Sequence, residues 1–314
     1  MKVLVPDSLP LKFDDSYENI EFLTYSVSST DFSNVQDAEL LVLWMNSEEN
    51  LHAAVSQLTN LRLVQTLAAG PDHALSAGFA DNILIASGRS LHDIPVAEHA
   101  LSLILESVRS LDLLLDSQRN SYWNSEYISA QADIETSHLY TLNGAKVLIV
   151  GFGSIAAQLA PLLKTLGATV RGAARHSGDR SGFEVLAISA ITNVLAEFDL
   201  VISLLPYSSE TEKYFNQDFF AHMKKSAIFV NVGRGKTVDE NALVDALKNG
   251  LIRRAAIDVT YIEPLPTDSP LWKCPHLIIT PHISGGRPIH SEKLVIANAI
   301  NLLKSQPIIN LVSR

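Results

Sequence analysis

The sequence predicts an α/β protein of two doubly wound parallel-sheet domains. Two successive series of short, β-rich apolar runs alternate with helical stretches along the chain. At 314 residues there is room for two domains of ordinary size, roughly 100–200 residues each. The composition, 47% hydrophobic and 18% charged, is that of a folded globular chain and argues against disorder.

The first series comprises "KVLV" (2–5), "IEFLTYS" (20–26), "LLVLWM" (40–45), "LRLVQTL" (61–67) and "NILIAS" (82–87). Runs of this length, bounded by turn residues, read as parallel strands buried on both faces of one open sheet. From Val96 follows "VAEHALSLILESVRSLDLLLDSQRN", a long helical stretch with apolar residues on nearly every side. A helix of that kind is covered on more than one face, either by crossing between domains or by joining a second copy of the chain.

A second series then runs through "AKVLIV" (145–150), "TVRGAA" (169–174), "DLVISLL" (199–205), "AIFVNV" (227–232), "RAAIDV" (254–259) and "HLIIT" (276–280). Six such runs separated by helices suit a doubly wound dinucleotide-binding sheet. The tail "IHSEKLVIANAINLLKSQ" reads as one amphipathic helix, and a cleft between two such domains is the natural place for a ligand.

A formal net charge of −10 repels phosphate backbones and anionic membrane surfaces, so neither nucleic acid nor membrane is an expected partner. The apolar run in "MKVLVPDSLPLKF" is too short for a signal peptide, and no stretch approaches the roughly 18 apolar residues of a membrane span. A cytoplasmic protein is expected. The single cysteine, Cys274, cannot form an intramolecular disulfide, which agrees with a reducing compartment; it is read as structural.

"VLIVGFGSIAAQLAPLLKTLG" sets Gly151, Gly153 and Ala156 directly after a strand and at the start of a helix. Gly151 permits a tight turn, Gly153 lets the backbone approach a pyrophosphate, and Ala156 keeps the helix close to its strand. An acidic residue about twenty positions on would accept the ribose hydroxyls of NAD. Here "TVRGAARHSGDR" has Ala173 and Ala174 in that place, followed by Arg175, His176 and Arg180. An acid would repel a 2′-phosphate and Arg can bind one with a forked pair of hydrogen bonds, so NADP is preferred over NAD. The bland alternative leaves Arg175 and Arg180 on a solvated loop.

Later strand ends bring further chemistry. "FVNVGRGKTVDENALVDAL" presents Arg234 between two glycines, "AAIDVTYIEPLP" supplies Asp258 and Glu263, and "LIITPHISGG" supplies His282. A cation at a strand end is costly unless an anion binds there. The carboxyl ends of the strands lie along one edge of such a sheet, so all four side chains are expected to meet beside the cofactor.

These stretches resemble the D-isomer-specific 2-hydroxyacid dehydrogenase family, in a short form similar to glyoxylate/hydroxypyruvate reductases and without a regulatory domain. The matching pieces are "GFGSIA", "LLPYSSETEKYFNQDFFAHMKKSAIFVNVGRG", "DENALVDALKNGLIRRAAIDV", "EPLP", "SPLW" and "TPHISGG", and upstream "LAAGPDH" and "VAEHALSLILESVR". The resemblance implies a flavodoxin-like substrate domain of residues 1–93 and 288–314, with a Rossmann cofactor domain of residues 94–287 inserted in it. It also implies an enzyme that interconverts a 2-oxo acid and a D-2-hydroxy acid with NAD(P), and a homodimer.

Carried over by position, Arg234 binds and polarises the 2-oxo acid, His282 is the acid–base, and Glu263 orients its ring. Hydride transfer to a ketone builds negative charge on its oxygen, so a proton donor and a fixed cation both stabilise the transition state. A carboxylate partner keeps the imidazole charged near neutral pH, which favours reduction on the acidic side. The resemblance places Ser154, Ile155, Leu205, Pro206, Thr211, Val232, His282 and Gly285 at the cofactor, beside Gly151, Gly153 and Arg175. Asp258 either contacts the nicotinamide carboxamide or caps its strand end. Ala69 and Gly70 match a loop whose backbone N–H groups hold the substrate carboxylate.

Two positions depart from the family pattern. Pro71 removes one backbone donor from the carboxylate loop, and Arg287 stands where a small hydroxylated residue is common. His73, His92, His99, His222, His276 and His290 have no paired metal-ligand spacing; each is read as structural or exposed, and no metal is expected. Trp44, Met45, Asn46, Tyr122 and Trp123 either shape the substrate pocket or serve packing.

Rival readings are separable. Formate dehydrogenases resemble this architecture but carry Gln where Glu263 stands, and the long phosphoglycerate dehydrogenases add a C-terminal regulatory domain. A cofactor-sensing, non-catalytic binding protein of the corepressor type is the alternative from another class; the set of Arg234, Glu263 and His282 is more simply explained by turnover.

Overall fold

The computed structural model describes residues 1–13, 17, 19–132 and 139–313, and the chain divides into two compact units. One comprises Met1–His92 with Arg287–Arg314, the other Asp93–Gly286.

The first unit contains β1 (Lys2–Pro6), β2 (Glu21–Tyr25), β3 (Leu40–Leu43), β4 (Leu63–Thr66) and β5 (Leu84–Ala86), with α1 (Glu48–Gln57) and α2 (Asp72–Ser76) between them. All neighbours are parallel in the order β2-β1-β3-β4-β5, the flavodoxin-like arrangement. β3 and β4 are wholly buried because apolar clusters cover both faces, one including Leu51 and Ala54 of α1. β2 departs from the expectation of burial on both faces: at the sheet edge it has one partner, and only Tyr25 is buried.

The second unit begins with α3 (Asp93–Arg109), α4 (Leu111–Arg119) and α5 (Ser125–Ala132). The single long helix expected from Val96 onward is therefore two. Ser110 sits at φ 48°, a left-handed conformation that cannot propagate an α-helix. α3 buries Val96, Ala97, Ala100, Leu103, Ile104 and Val108, a stripe at helical spacing, and leaves Leu105 exposed.

The sheet of this unit follows: β6 (Lys146–Val150), α6 (Ser154–Thr165), β7 (Thr169–Ala174), β8 (Gly178–Arg180), β9 (Phe183–Ala187), β10 (Leu200–Ser203), α7 (Gln217–His222), β11 (Ile228–Asn231), α8 (Glu240–Lys248), β12 (Arg254–Ile257) and β13 (Leu277–Ile279). Its order is β13-β12-β11-β10-β6-β7-β9-β8, parallel except for β8 against β9. The chain winds outward from β6 through β7 to β9 and then returns to β10 on the other side of β6. That reversal opens a crevice at the carboxyl ends of β6 and β10. One apolar cluster, with residues of α3 and α6, covers one face; a second, with residues of α7 and α8, covers the other. β8 and β9 are additions to the six strands legible in sequence. β8 has no buried residue and β9 alternates over Phe183–Val185, so the hairpin lacks a continuous apolar run.

α9 (Ser291–Leu303) returns to the first unit and seats Leu294, Val295, Ala299 and Leu302 against β1, β3 and β4. Its buried Asn298 donates to Gln65 Oε1 (2.6 Å) and accepts from the Ile309 N–H (2.8 Å), so the polar pair is satisfied inside the core. Among the described residues, no helix is long and apolar enough to cross a membrane.

Candidate active site

The parallel register of the second unit aligns the strand ends. Val150 pairs with Ser203, Ser203 with Asn231, Asn231 with Ile257, and Ile257 with Ile279. The loops carrying Gly151, Leu205, Arg234, Asp258 and His282 therefore leave the sheet along one edge.

At the crevice, Gly151 adopts φ 97°, and a Cβ there would lie 2.7 Å from the backbone of Leu204. Only glycine satisfies both demands. Leu204 itself donates to the Val150 carbonyl (2.8 Å), which locks the two loops together. Gly153 caps α6 without any side-chain hydrogen bond, and a Cβ on it would meet nothing within 4 Å. A twelve-residue helix thus starts with no side-chain cap on its first N–H groups, as a phosphate site needs. Ser154 donates its hydroxyl to Asp93 (3.1 Å), and Ala156 is fully buried beneath the turn.

A groove of about 420 Å³ runs from this turn and brings together Gly151, Gly153, Arg175, Leu205, Pro206 and Thr211. Ser154, Ile155, Val232, Asp258, His282 and Gly285 are not in its lining. Arg175 is exposed, and no ion pair engages it among the described residues. Sequence reasoning placed Arg180 only on a nearby loop. Here its guanidinium donates to the carbonyls of Phe152 (3.0 Å) and His176 (3.2 Å), tying the β8–β9 hairpin to the phosphate turn. Phe152, Ile188, Glu210 and Tyr214 also line the groove; Phe152, Glu210 and Tyr214 lie within the matching stretches quoted above, where no role was assigned to them, and Ile188 lies outside those stretches. An uncapped helix start, an open glycine cradle and a free cation together fit a phosphorylated dinucleotide.

Farther along the edge, His282 Nδ1 lies 2.6 Å from Glu263 Oε2. The other carboxylate oxygen, Oε1, accepts the Thr260 N–H (2.9 Å), which fixes the Glu263 side chain. With Nδ1 donating to the carboxylate, Nε2 is the free ring atom, and the side chain is 48% exposed. The Glu263 hydrogen bond raises the His282 pKa; burial and the nearby Arg234 charge oppose it without cancelling it. Burial pushes Glu263 up, but the hydrogen bonds from His282 and Thr260 outweigh it and hold the group below the usual carboxylate range. Arg234 follows β11, partly buried, its guanidinium donating to the Gly233 carbonyl (2.8 Å). A Cβ on the adjacent Gly235 would fall 1.9 Å from the Thr260 carbonyl oxygen, so glycine is needed for the Arg234 loop to pass the Glu263 loop.

Asp258 has a fully buried side chain. Oδ1 accepts from the Thr280 hydroxyl (2.6 Å) and the Ile283 N–H (3.0 Å), and Oδ2 accepts from the Ser284 N–H (2.9 Å). Burial pushes this carboxyl up, yet those donors hold it lower than usual. Asp258 thus anchors the loop that carries His282; a carboxamide contact would need one oxygen to turn outward. Arg287 is exposed and belongs to the other unit. In that unit Ala69 and Gly70 follow β4, and neither backbone N–H is engaged among the described residues. Pro71 caps the five-residue α2. Among the described residues, no three His, Cys, Asp or Glu side chains group as a metal site would.

An imidazole paired with a carboxylate, a partly buried guanidinium and a glycine turn at a helix start thus lie along one sheet edge. The family model described as D-isomer specific 2-hydroxyacid dehydrogenase, NAD binding domain, matches residues 101–284. Glyoxylate/hydroxypyruvate reductase B of Salmonella schwarzengrund (strain CVM19633) is 33% identical over 241 residues, 76% of this chain and 72% of that protein. Among solved structures, a D-isomer specific 2-hydroxyacid dehydrogenase family protein from Aeromonas salmonicida subsp. salmonicida A449 superposes with a TM-score of 0.82 at 28% identity, covering 99% of this chain and 98% of that one. A D-isomer specific 2-hydroxyacid dehydrogenase from Xanthobacter autotrophicus Py2, in complex with NADPH and MES, gives a TM-score of 0.75 at 25% identity, covering 95% of this chain and 92% of that one.

Proposed function

The chain belongs to the D-isomer-specific 2-hydroxyacid dehydrogenase family and is an NAD(P)-dependent oxidoreductase, and from that premise we propose that it reduces small 2-oxo acids to D-2-hydroxy acids with a preference for NADP(H). The observation that carries the chemistry is the 2.6 Å contact between His282 and Glu263, with Arg234 at a neighbouring strand end.

Gly151, Gly153 and the open start of α6 hold the pyrophosphate. Arg175, with no acid in the position of Ala173 or Ala174, binds a 2′-phosphate. Leu205, Pro206 and Thr211 line the groove beyond it. When bound, the reduced nicotinamide supplies the hydride. Arg234 binds the oxo acid and polarises its carbonyl. His282 gives the proton on Nε2 to the oxygen on which charge develops, and takes one back in the reverse direction. Glu263 keeps the ring oriented and the imidazolium populated. The unengaged N–H groups of Ala69 and Gly70 are suited to a carboxylate.

Reduction needs imidazolium, so it is fastest below the raised His282 pKa and declines as the pH climbs through it. Purified protein mixed with glyoxylate, hydroxypyruvate and other 2-oxo acids in the presence of NADPH will oxidise the cofactor, read as loss of absorbance. Cofactor binding with no turnover across the panel would refute the reading in favour of a sensor. Exposed Leu105, Leu111 and Leu115 on α3 and α4 support a homodimer, for which light scattering will give twice the chain mass; a monomer mass would refute it.

A further inference from the structure

His282 holds a backbone conformation that few non-glycine residues adopt. Its φ is 51°, in the left-handed region. The loop is fixed there by Asp258. Three consecutive N–H groups converge on it: His282 donates to the Asp258 carbonyl (2.7 Å), Ile283 to Oδ1 and Ser284 to Oδ2. The carboxylate is in turn oriented by Thr280, whose only hydroxyl proton is committed to Oδ1 at 2.6 Å.

That commitment has a consequence for the next residue out. His99 Nε2 stands 3.0 Å from Thr280 Oγ1. Since the hydroxyl proton already points at Asp258, Thr280 can only accept, and His99 must carry its proton on Nε2. The direct His99 to Asp258 Oδ1 distance, 3.4 Å, is long for a hydrogen bond, so the hydroxyl is the link. His99 lies on α3, 181 residues from Thr280 in sequence, and is only 23% exposed. Six positions earlier, Asp93 at the start of α3 accepts the Ser154 hydroxyl at the phosphate turn. The helix thus touches the cofactor turn and the acid–base loop roughly 9 Å apart along its axis.

We propose that His99, acting through Thr280 and Asp258, is a positioning residue that latches the His282 loop onto α3 and so sets the imidazole against Glu263. It touches no reacting atom. A neutral His99 with its proton on Nε2 suffices. The proposal rests on the acid–base role of His282 proposed above.

The test compares His99→Leu and Thr280→Val, which break the link, with His99→Gln and Thr280→Ser, which keep a donor and a hydroxyl in place. A lost hydrogen bond in a chain that ends on a carboxylate corresponds to roughly a ten- to hundredfold fall in kcat for 2-oxo acid reduction. His99→Leu and Thr280→Val should both show that fall, with NADPH affinity by fluorescence titration changed less than about twofold. His99→Gln and Thr280→Ser should recover most of kcat. The second readout needs no turnover. Imidazole titration of the cofactor-free protein by NMR should find the His282 pKa above the ordinary value in wild type and in both conservative variants, and lowered in the two link-breaking ones. Unchanged kcat and unchanged His282 titration in Thr280→Val would overturn the latch, as would His99→Gln behaving like His99→Leu. If wild-type protein reduces no oxo acid, the functional reading fails by itself, and the NMR comparison still decides the latch.

Discussion

Replacing Arg175 with alanine isolates the basis of cofactor choice. Arg175 is exposed and makes no ion pair among the described residues, so the substitution breaks nothing within the folded chain. Its effect will therefore be read in the ligand alone. A hydrogen bond to a charged group contributes about 1.5–3 kcal/mol, and solvent exposure places this contact near the lower end. The Kd for NADPH should accordingly rise roughly ten- to thirtyfold, since about 1.4 kcal/mol is a factor of ten. NADH has no 2′-phosphate, and its Kd should move by less than about twofold. Arg180 cannot fully compensate, because its guanidinium is held by the carbonyls of Phe152 and His176. Fluorescence titrations with both cofactors at two salt concentrations give the answer, and the NADPH penalty should shrink at high salt. Equal weakening of both cofactors would refute the phosphate role of Arg175.

His282→Ala should lower kcat by roughly 10²–10⁴-fold while leaving NADPH affinity nearly intact, measured by steady-state rates alongside titration; retained activity would end the acid–base assignment. Glu263→Gln removes the largest influence that raises the His282 pKa, while burial and Arg234 continue to lower it. Reduction runs on imidazolium and is lost as the pH rises through that pKa, so in Glu263→Gln the alkaline fall of the rate should begin at lower pH. Oxidation of the hydroxy acid runs on neutral imidazole, so its acidic limb should move to lower pH as well. A pH profile identical to wild type would contradict the pairing.

Much of the fold was legible because β6, β10, β11 and β12 lie inside a doubly covered sheet and so read as unbroken apolar runs. The phosphate turn was legible because Gly151 answers a steric demand that no other residue meets. What escaped has physical causes too. The β8–β9 hairpin closes the sheet with an edge strand that buries nothing, and Glu184 breaks the apolar run in "FEVLA". The break between α3 and α4 depends on the left-handed φ of one serine, which neither periodicity nor composition marks. Asp258 was placed at a strand end, but the engagement of both its oxygens follows from how the 280–284 loop folds back over it. His99 was read only as structural or exposed because its partner is far away in sequence and adjacent only after folding.

The measurement that bears most directly on the central claim is a set of steady-state rates for wild-type protein over a panel of 2-oxo acids with NADPH and with NADH, repeated across pH. Small 2-oxo acids should be reduced with a lower KM for NADPH and at a rate that declines as the pH rises through the elevated His282 pKa. Tight cofactor binding without turnover on any oxo acid, or a reduction rate that climbs through the same pH range, would contradict the claim.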